Sequence, residues 1–125
     1  MSNHSKDWQE ALDRIEQARL NGGKSVDLSG LKIQDIPDAL LALAPTLETL
    51  FLTGTPITDA APLAKLTNLT ELYLSDTQIA DAAPLEGLTN LTWLDLSRTP
   101  ITDAAPLEGL TKGGCDIYGI QELIK

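Results

Sequence analysis

Leucines recur along residues 47 to 112 with a fixed period of 22 residues. The three units read LETLFLTGTPITDAAPLAKLTN (47–68), LTELYLSDTQIADAAPLEGLTN (69–90) and LTWLDLSRTPITDAAPLEGLTK (91–112). Each begins with L-x-x-L-x-L, in which apolar and polar positions alternate as they do in a strand with one buried face. The pattern therefore predicts stacked coils whose strands lie side by side.

The alternation predicts strands over 49–53, 71–75 and 93–97. The leucine pairs at 50/52, 72/74 and 94/96 then point inward, and the positions between them point outward. Because neighbouring strands lie about 4.8 Å apart, equivalent residues of successive coils are expected to form ladders across a parallel sheet. A period within the 20 to 29 residue window predicts a leucine-rich repeat solenoid of the α/β class, with the sheet on the concave face and short turns or 3-10 helices on the convex face.

The chain ends are predicted to cap this solenoid. A helix is expected over 8–20, starting at Asp7 and stopping at Asn21, with an apolar stripe that covers the first coil. An irregular first coil over 23–46 contains a short helix over 38–43. In the last coil, Cys115 and Ile117 take inward positions, and IQELIK forms a closing helix in which Ile120, Leu123 and Ile124 cover the core. The predicted organisation is one domain over 1–125: a cap helix in 1–22, four repeats in 23–112 and a degenerate cap in 113–125.

The run I-T-D-A-A-P-L-x-x-L-T-N-L resembles the 22-residue repeats of internalins and of a protein phosphatase 1 regulatory subunit. The opening ALDRIEQARLNGGKSVDLSGLKIQDIP is similar to the start of bacterial intracellular leucine-rich repeat proteins, including Roco-type GTPases. Where that family usually has asparagine after the strand, this chain has Leu31, Thr55, Thr77 and Thr99. The resemblance implies the fold and a binding role, and neither relative's specific activity carries over, because the family binds many unrelated partners.

Charge and composition narrow the classes of partner. Eighteen acidic against nine basic residues give a net charge of -9, which disfavours nucleic acid and anionic membranes as partners. The N-terminus lacks the apolar core of a signal peptide, and no apolar run approaches the length of a membrane span, so a cytoplasmic location is expected.

The outward positions vary while the scaffold repeats. The units at 69–90 and 91–112 differ at six positions, and three of these differences, Glu71/Trp93, Tyr73/Asp95 and Asp76/Arg98, lie on or just beyond the outward side of the strand. Outside the cap helix every aromatic residue also takes an outward position. The predicted partner-binding residues are Phe51, Tyr73, Trp93, Glu71, Asp95, Arg98 and Tyr118, with Asp27 in the rim.

Two interpretations of these aromatics stay open. Exposed aromatic patches mark binding sites, and Trp93 is expected to lie diagonally beside Tyr73 in one contiguous patch. Alternatively, sheet positions favour aromatics by propensity alone, and the rings simply pack on one another.

The sequence contains no pattern typical of a catalytic, phosphate-binding or metal-binding site. GGKS at 22–25 lacks the first glycine of a phosphate-binding loop, and Asp59, Asp81 and Asp103 suit the caps of short turns. His4 has no partner at ligand spacing, and Cys115 takes an inward site without a histidine to activate it. We therefore expect no catalytic residue, no metal, no cofactor and no enzyme activity. The favoured function is protein binding, and the alternatives are self-assembly through the C-terminal edge and carbohydrate recognition by aromatic stacking.

Overall fold

The computed structural model of the protein describes residues 5–120 and Leu123. Within them, five strands form one parallel sheet in chain order. The strands are β1 (Ser25–Asp27), β2 (Thr49–Phe51), β3 (Glu71–Tyr73), β4 (Trp93–Asp95) and β5 (Asp116–Tyr118). The three strands predicted from the alternation correspond to β2, β3 and β4 and are thus confirmed in position. Each of them is two residues shorter than the alternation suggested.

The backbone ladder nevertheless continues beyond the strand ends. The Leu52 N–H donates to the Tyr73 carbonyl at 2.8 Å, and the Gly54 N–H donates to the Ser75 carbonyl at 2.9 Å. The strands end early because the chain turns immediately after them: Gly54, Asp76 and Arg98 have φ values of 77°, 59° and 55°. The left-handed conformation bends the chain at these residues. The backbone N–H groups of Gly54 and Asp76 still donate to carbonyls of the next coil.

The core is a stack of inward aliphatic side chains. In the middle of each strand, Val26, Leu50, Leu72, Leu94 and Ile117 face one another in register, and all are buried. Further buried rows come from the return segments, which lead from the end of one strand to the start of the next. In them, Ile57, Leu63, Leu66 and their equivalents have almost no exposed surface. The predicted inward leucines are therefore confirmed as core.

The convex side consists of short helical turns. The structure has 3-10 helices at Ala61–Lys65, Ala83–Leu85 and Ala105–Leu107, as the sequence predicted. The aspartates before them act as expected, because Oδ1 of Asp59, Asp81 and Asp103 each accepts a backbone N–H two residues on, at 2.9 Å.

A short α-helix also lies along the return segment of the first coil. Helix α2 (Asp38–Leu41) ends two residues before the predicted end at 43. Ala42 is the C-cap residue of this helix.

The N-terminal helix α1 (Lys6–Leu20) packs on the first coil through the buried residues Ala11 and Ile15. Its predicted start was wrong by two residues. Ser5 is the N-cap and accepts the Trp8 N–H at 3.0 Å, whereas the Asp7 carboxylate accepts the Lys32 N–H at 2.6 Å and so ties the helix to the first coil. None of the helices in the described residues is long and apolar enough to cross a membrane.

Threonines replace asparagine in the turns without bonding to the next coil. Thr55 and Thr77 are fully buried, and each hydroxyl donates at 2.8 Å to the carbonyl three residues earlier in its own coil. Asparagines elsewhere bond between coils: Asn68 Nδ2 donates to the Ala44 carbonyl at 3.1 Å, and Asn90 Nδ2 donates to the Thr67 carbonyl at 2.9 Å.

The last coil departs from the repeat. Helix α3 (Glu108–Lys112) occupies the return segment, and a turn at Gly113 and Gly114 leads into β5. Cys115 and Ile117 are buried as predicted, and so is Ile120. The expectation that Leu123 covers the core was wrong, since 40 % of its surface is exposed. Most of the predicted closing helix, including Ile124, lies outside the described residues.

Candidate functional site

The outward side chains of the sheet form two columns that cross all five strands. The first column runs through the residues that open the strands: Ser25, Thr49, Glu71, Trp93 and Asp116. The second runs through the residues that close them: Asp27, Phe51, Tyr73, Asp95 and Tyr118. We call these two columns the concave face. It contains all the predicted partner-binding residues except Arg98.

The first aromatic pair lies within the second column. The rings of Phe51 and Tyr73 are parallel, with centroids 4.5 Å apart and an interplanar angle of 6°. The two residues face each other in register on β2 and β3, which brings their rings to stacking distance. Both side chains are half-buried by this contact.

The second aromatic pair crosses the columns. Trp93 contacts Tyr118 of the next strand, with ring centroids 4.4 Å apart and a tilt of 31°. The sequence led us to expect Tyr73 as the diagonal neighbour of Trp93, but Tyr73 stacks on Phe51, and Trp93 leans the other way. The aromatics thus form two pairs, and of the four rings Tyr118 is the most exposed.

Glu71 is held beside the first pair. The Tyr73 hydroxyl donates to Glu71 Oε1 at 2.7 Å, and Glu71 faces Trp93 in register. This hydrogen bond, followed by burial and the negative charges of Glu71 and Asp95, raises the pKa of Tyr73 to about 12. Tyr73 therefore remains a neutral donor at physiological pH.

The Asp95 carboxylate is also held in one orientation. Asp95 lies between Tyr73 and Tyr118 in the second column. Its Oδ1 accepts the Ser97 N–H at 3.0 Å and the Ser97 hydroxyl at 2.7 Å. Both central carboxylates of the concave face are thus oriented by neighbouring donors.

Arg98 lies beyond the strand and is engaged within the chain. Its guanidinium donates through Nε and Nη2 to both oxygens of Asp76, each at 2.8 Å, in a bidentate ion pair between adjacent coils. Arg98 lowers the pKa of the Asp76 carboxyl chiefly through these hydrogen bonds. This ion pair was not predicted from the sequence, although the two residues are 22 positions apart and so occupy equivalent sites.

Among the described residues, one buried side-chain polar atom on this face has no hydrogen-bond partner. The indole Nε1 of Trp93 is buried and makes no hydrogen bond among the described residues. A buried donor without an acceptor costs about 1 to 3 kcal/mol. No sequence pattern identifies such an atom, because its environment depends on the orientation of the ring.

The structure shows little that supports chemistry. Within the described part of the chain, no group of three histidine, cysteine or acidic side chains is placed to hold a metal ion. Burial, with a contribution from Asp116, raises the pKa of the Cys115 thiol to about 11, which keeps it protonated and a poor nucleophile. An open groove of about 970 Å³ follows the loops after the strands, and it is lined by Lys32, Gln34, Asp76 and Gln78 among others.

Known proteins share this architecture. Residues 45–87 match the family described as leucine rich repeats in two copies. An internalin, InlF, from Listeria monocytogenes is 30% identical with a TM-score of 0.78, over 95% of this chain and 38% of that one. A second internalin from the same organism, InlC2, is 26% identical with a TM-score of 0.61, over 76% of this chain and 50% of that one.

A leucine-rich repeat protein of Leptospira interrogans is 29% identical with a TM-score of 0.64, over 82% of this chain and 27% of that one. No curated protein matches the chain significantly in sequence. The chain spans half or less of the length of these three solved structures. The protein is therefore a leucine-rich repeat solenoid that resembles the bacterial internalins in fold and sequence.

Proposed function

We propose that this protein is a non-catalytic module that binds a protein partner on its concave face. The partner contacts the aromatics Phe51, Tyr73, Trp93 and Tyr118, while Glu71, Asp95 and Arg98 provide polar contacts at the rim. The observation that carries the proposal is that two aromatic pairs, one stacked and one tilted, stand on the solvent side of the sheet, opposite a core built from leucine. Aromatic side chains are enriched among the residues that contribute most to binding energy.

Two further facts support it. The outward strand positions differ from one repeat to the next while the core leucines stay constant, as expected for a scaffold that presents a specific surface. Solenoids of this class use their extended concave surface for recognition. The stacking of the rings on one another is compatible with binding, because pre-ordered aromatic side chains lose little conformational entropy when a partner arrives.

The test compares capture by the wild-type protein and by the variant Phe51→Ala/Tyr73→Ala/Trp93→Ala from lysate of the source cells. The variant is expected to stay folded, because each lost ring pair is worth about 0.5 to 1.5 kcal/mol beyond its buried area, and no core leucine is removed. Circular dichroism and thermal melting establish folding first. We expect the partner to be lost from the variant.

The matched control is Glu86→Ala, an exposed position on the convex side. It is expected to capture the same partner as the wild type. Equal capture by the triple variant and the wild type would contradict the proposal, and capture of the protein's own copies or of glycan would favour the alternative functions.

A further inference from the structure

The concave face carries an excess of negative charge. Its two columns contain no lysine or arginine, and they contain the four carboxylates Asp27, Glu71, Asp95 and Asp116. Arg98, just beyond the face, interacts electrostatically with Asp95, but its guanidinium forms its ion pair with Asp76. Arg14 pairs with Glu10 at 2.9 Å. The face therefore has carboxylates without basic partners of its own.

The two central carboxylates each keep one oxygen available. The Tyr73 hydroxyl holds Oε1 of Glu71, and Ser97 holds Oδ1 of Asp95. In the described part of the chain, neither Glu71 Oε2 nor Asp95 Oδ2 makes a hydrogen bond. Oriented acceptors of this kind lose little entropy on binding, so they are suited to receive charged donors.

Aromatic rings flank these carboxylates. Glu71 faces Trp93 across the sheet, and Asp95 lies between Tyr73 and Tyr118 in the second column. Cations are attracted to the faces of tryptophan and tyrosine rings. A guanidinium group in particular stacks on aromatic rings through its plane and donates to carboxylates through its edge. The face thus offers both contacts that an arginine side chain makes.

We infer that the partner segment bound on the concave face is basic, and that an arginine or lysine side chain of this segment binds at Glu71 and Asp95 between the two aromatic pairs. The inference rests on the proposed function and specifies the chemistry of its ligand. The net charge of -9 adds long-range attraction for such a segment, which makes association sensitive to ionic strength.

The experiment pans a display library of random 12-residue peptides against the whole protein. Three further baits accompany the wild type. Glu71→Gln/Asp95→Asn removes both charges but keeps the acceptor oxygens for Tyr73 and Ser97. Glu86→Gln/Asp35→Asn makes the same chemical changes at exposed positions away from the concave face. Tyr73→Ala/Trp93→Ala removes one ring from each aromatic pair.

Arginine- or lysine-containing peptides are expected to be enriched on the wild type. Fluorescence anisotropy of a selected peptide is expected to show at least about tenfold weaker binding to Glu71→Gln/Asp95→Asn, since hydrogen bonds to charged groups are among the strong ones. Binding to Glu86→Gln/Asp35→Asn is expected to stay within about twofold of the wild type, because exposed charges at a distance are screened. Added salt is expected to weaken wild-type binding more than binding to the charge-neutralised face.

Two results overturn the inference, and they are distinguishable. In the first, the peptides no longer bind to Tyr73→Ala/Trp93→Ala, but they lack basic residues or bind equally to Glu71→Gln/Asp95→Asn and the wild type. This result refutes the cation site and leaves the proposed function standing. If no enriched peptide depends on Tyr73 and Trp93, the concave face is not a docking surface, and both the inference and the proposed function fail.

Discussion

Tyr73 connects the aromatic and acidic parts of the concave face through a single hydroxyl. Its hydrogen bond to Glu71 requires the protonated phenol, so ionisation of Tyr73 breaks the contact and places a third negative charge beside Glu71 and Asp95. The pKa of Tyr73 in the folded protein, about 12, lies above the ordinary value of 10.0. The stabilisation from this contact is therefore complete below about pH 10 and is lost as the pH rises through about 12.

We expect a late step in the ultraviolet absorbance of tyrosinate, as the pH rises through about 12, during an alkaline titration of the wild-type protein. The late step belongs to Tyr73, so Tyr73→Phe removes it, while Tyr118→Phe retains it. The phenylalanine variant keeps the ring that stacks on Phe51, which separates the hydroxyl from the stacking contact. A late step that persists in Tyr73→Phe would contradict the assignment.

The buried threonines are a second feature at the residue scale. Thr77 is fully buried, and its hydroxyl bonds to the Leu74 carbonyl at 2.8 Å. Thr77→Val keeps the shape of the side chain but removes the donor, so we expect the free energy of unfolding to fall by about 1 kcal/mol. Urea denaturation measures the difference.

Thr58→Val is the control for this change, because Thr58 is exposed. It is expected to alter the free energy of unfolding by less than about 0.5 kcal/mol. Equal effects at the two positions would show that the buried hydrogen bond contributes nothing to stability.

At the scale of elements, the junction after β5 depends on one glycine. Gly119 has a φ of 95°, and a Cβ at this position would overlap the backbone of Ser97 on the neighbouring coil. The last coil therefore closes against the fourth only because this residue has no side chain. A tight approach of backbone to backbone is one of the few roles that only glycine fills.

Gly119→Ala is expected to lower the free energy of unfolding by about 3 kcal/mol or more, since it adds a backbone overlap to an unfavourable φ. Gly114→Ala is the matched control: its φ is 98°, but a Cβ there meets nothing within 4 Å. Its expected loss is about 1 to 2 kcal/mol, from backbone strain alone. Denaturant melts of the two variants give the difference, and equal losses would refute the overlap.

At the scale of the whole molecule, each coil is stabilised mainly by its neighbours in the stack. The central strands β2, β3 and β4 pair on both sides, whereas within the described residues the terminal strands β1 and β5 pair on one side only. In such a quasi-linear structure, the ends open at lower free energy than the middle. Cys115 lies in the last coil, buried and with its pKa raised to about 11, so its alkylation reports on local opening.

We expect iodoacetamide to modify Cys115 slowly in the native protein and through opening of the last coil alone. Leu72→Ala in the central coil lowers global stability by about 2 to 5 kcal/mol but is expected to leave the alkylation rate nearly unchanged. Ile117→Ala, in the last coil itself, is expected to accelerate it. If alkylation in Leu72→Ala instead rises in proportion to the loss of global stability, the solenoid opens as one cooperative unit.

The sequence by itself determined the periodic part of this protein. Alternation within a strand is a local property, so the inward leucines such as Leu50 and Leu72, the outward positions of Phe51 and Tyr73, and the aspartate turns before each 3-10 helix were all predictable. The 22-residue period then fixed the parallel register, because equivalent residues of identical coils must stack. Even the burial of Cys115 and Ile117 in a decayed coil followed from this alignment.

Only the tertiary structure decided which side chains meet. Trp93 has two diagonal neighbours, and ring orientation selects Tyr118 rather than Tyr73. Asp7 was predicted to cap its own helix, but it bonds to Lys32 in the first coil, and Ser5 takes the capping position. The position of a strand and the direction of its side chains depend on the local repeat, so the periodic scaffold was predictable. Rotamers and contacts between distant segments depend on the packing of several elements at once. For that physical reason the arrangement of side chains on the concave face was not predictable.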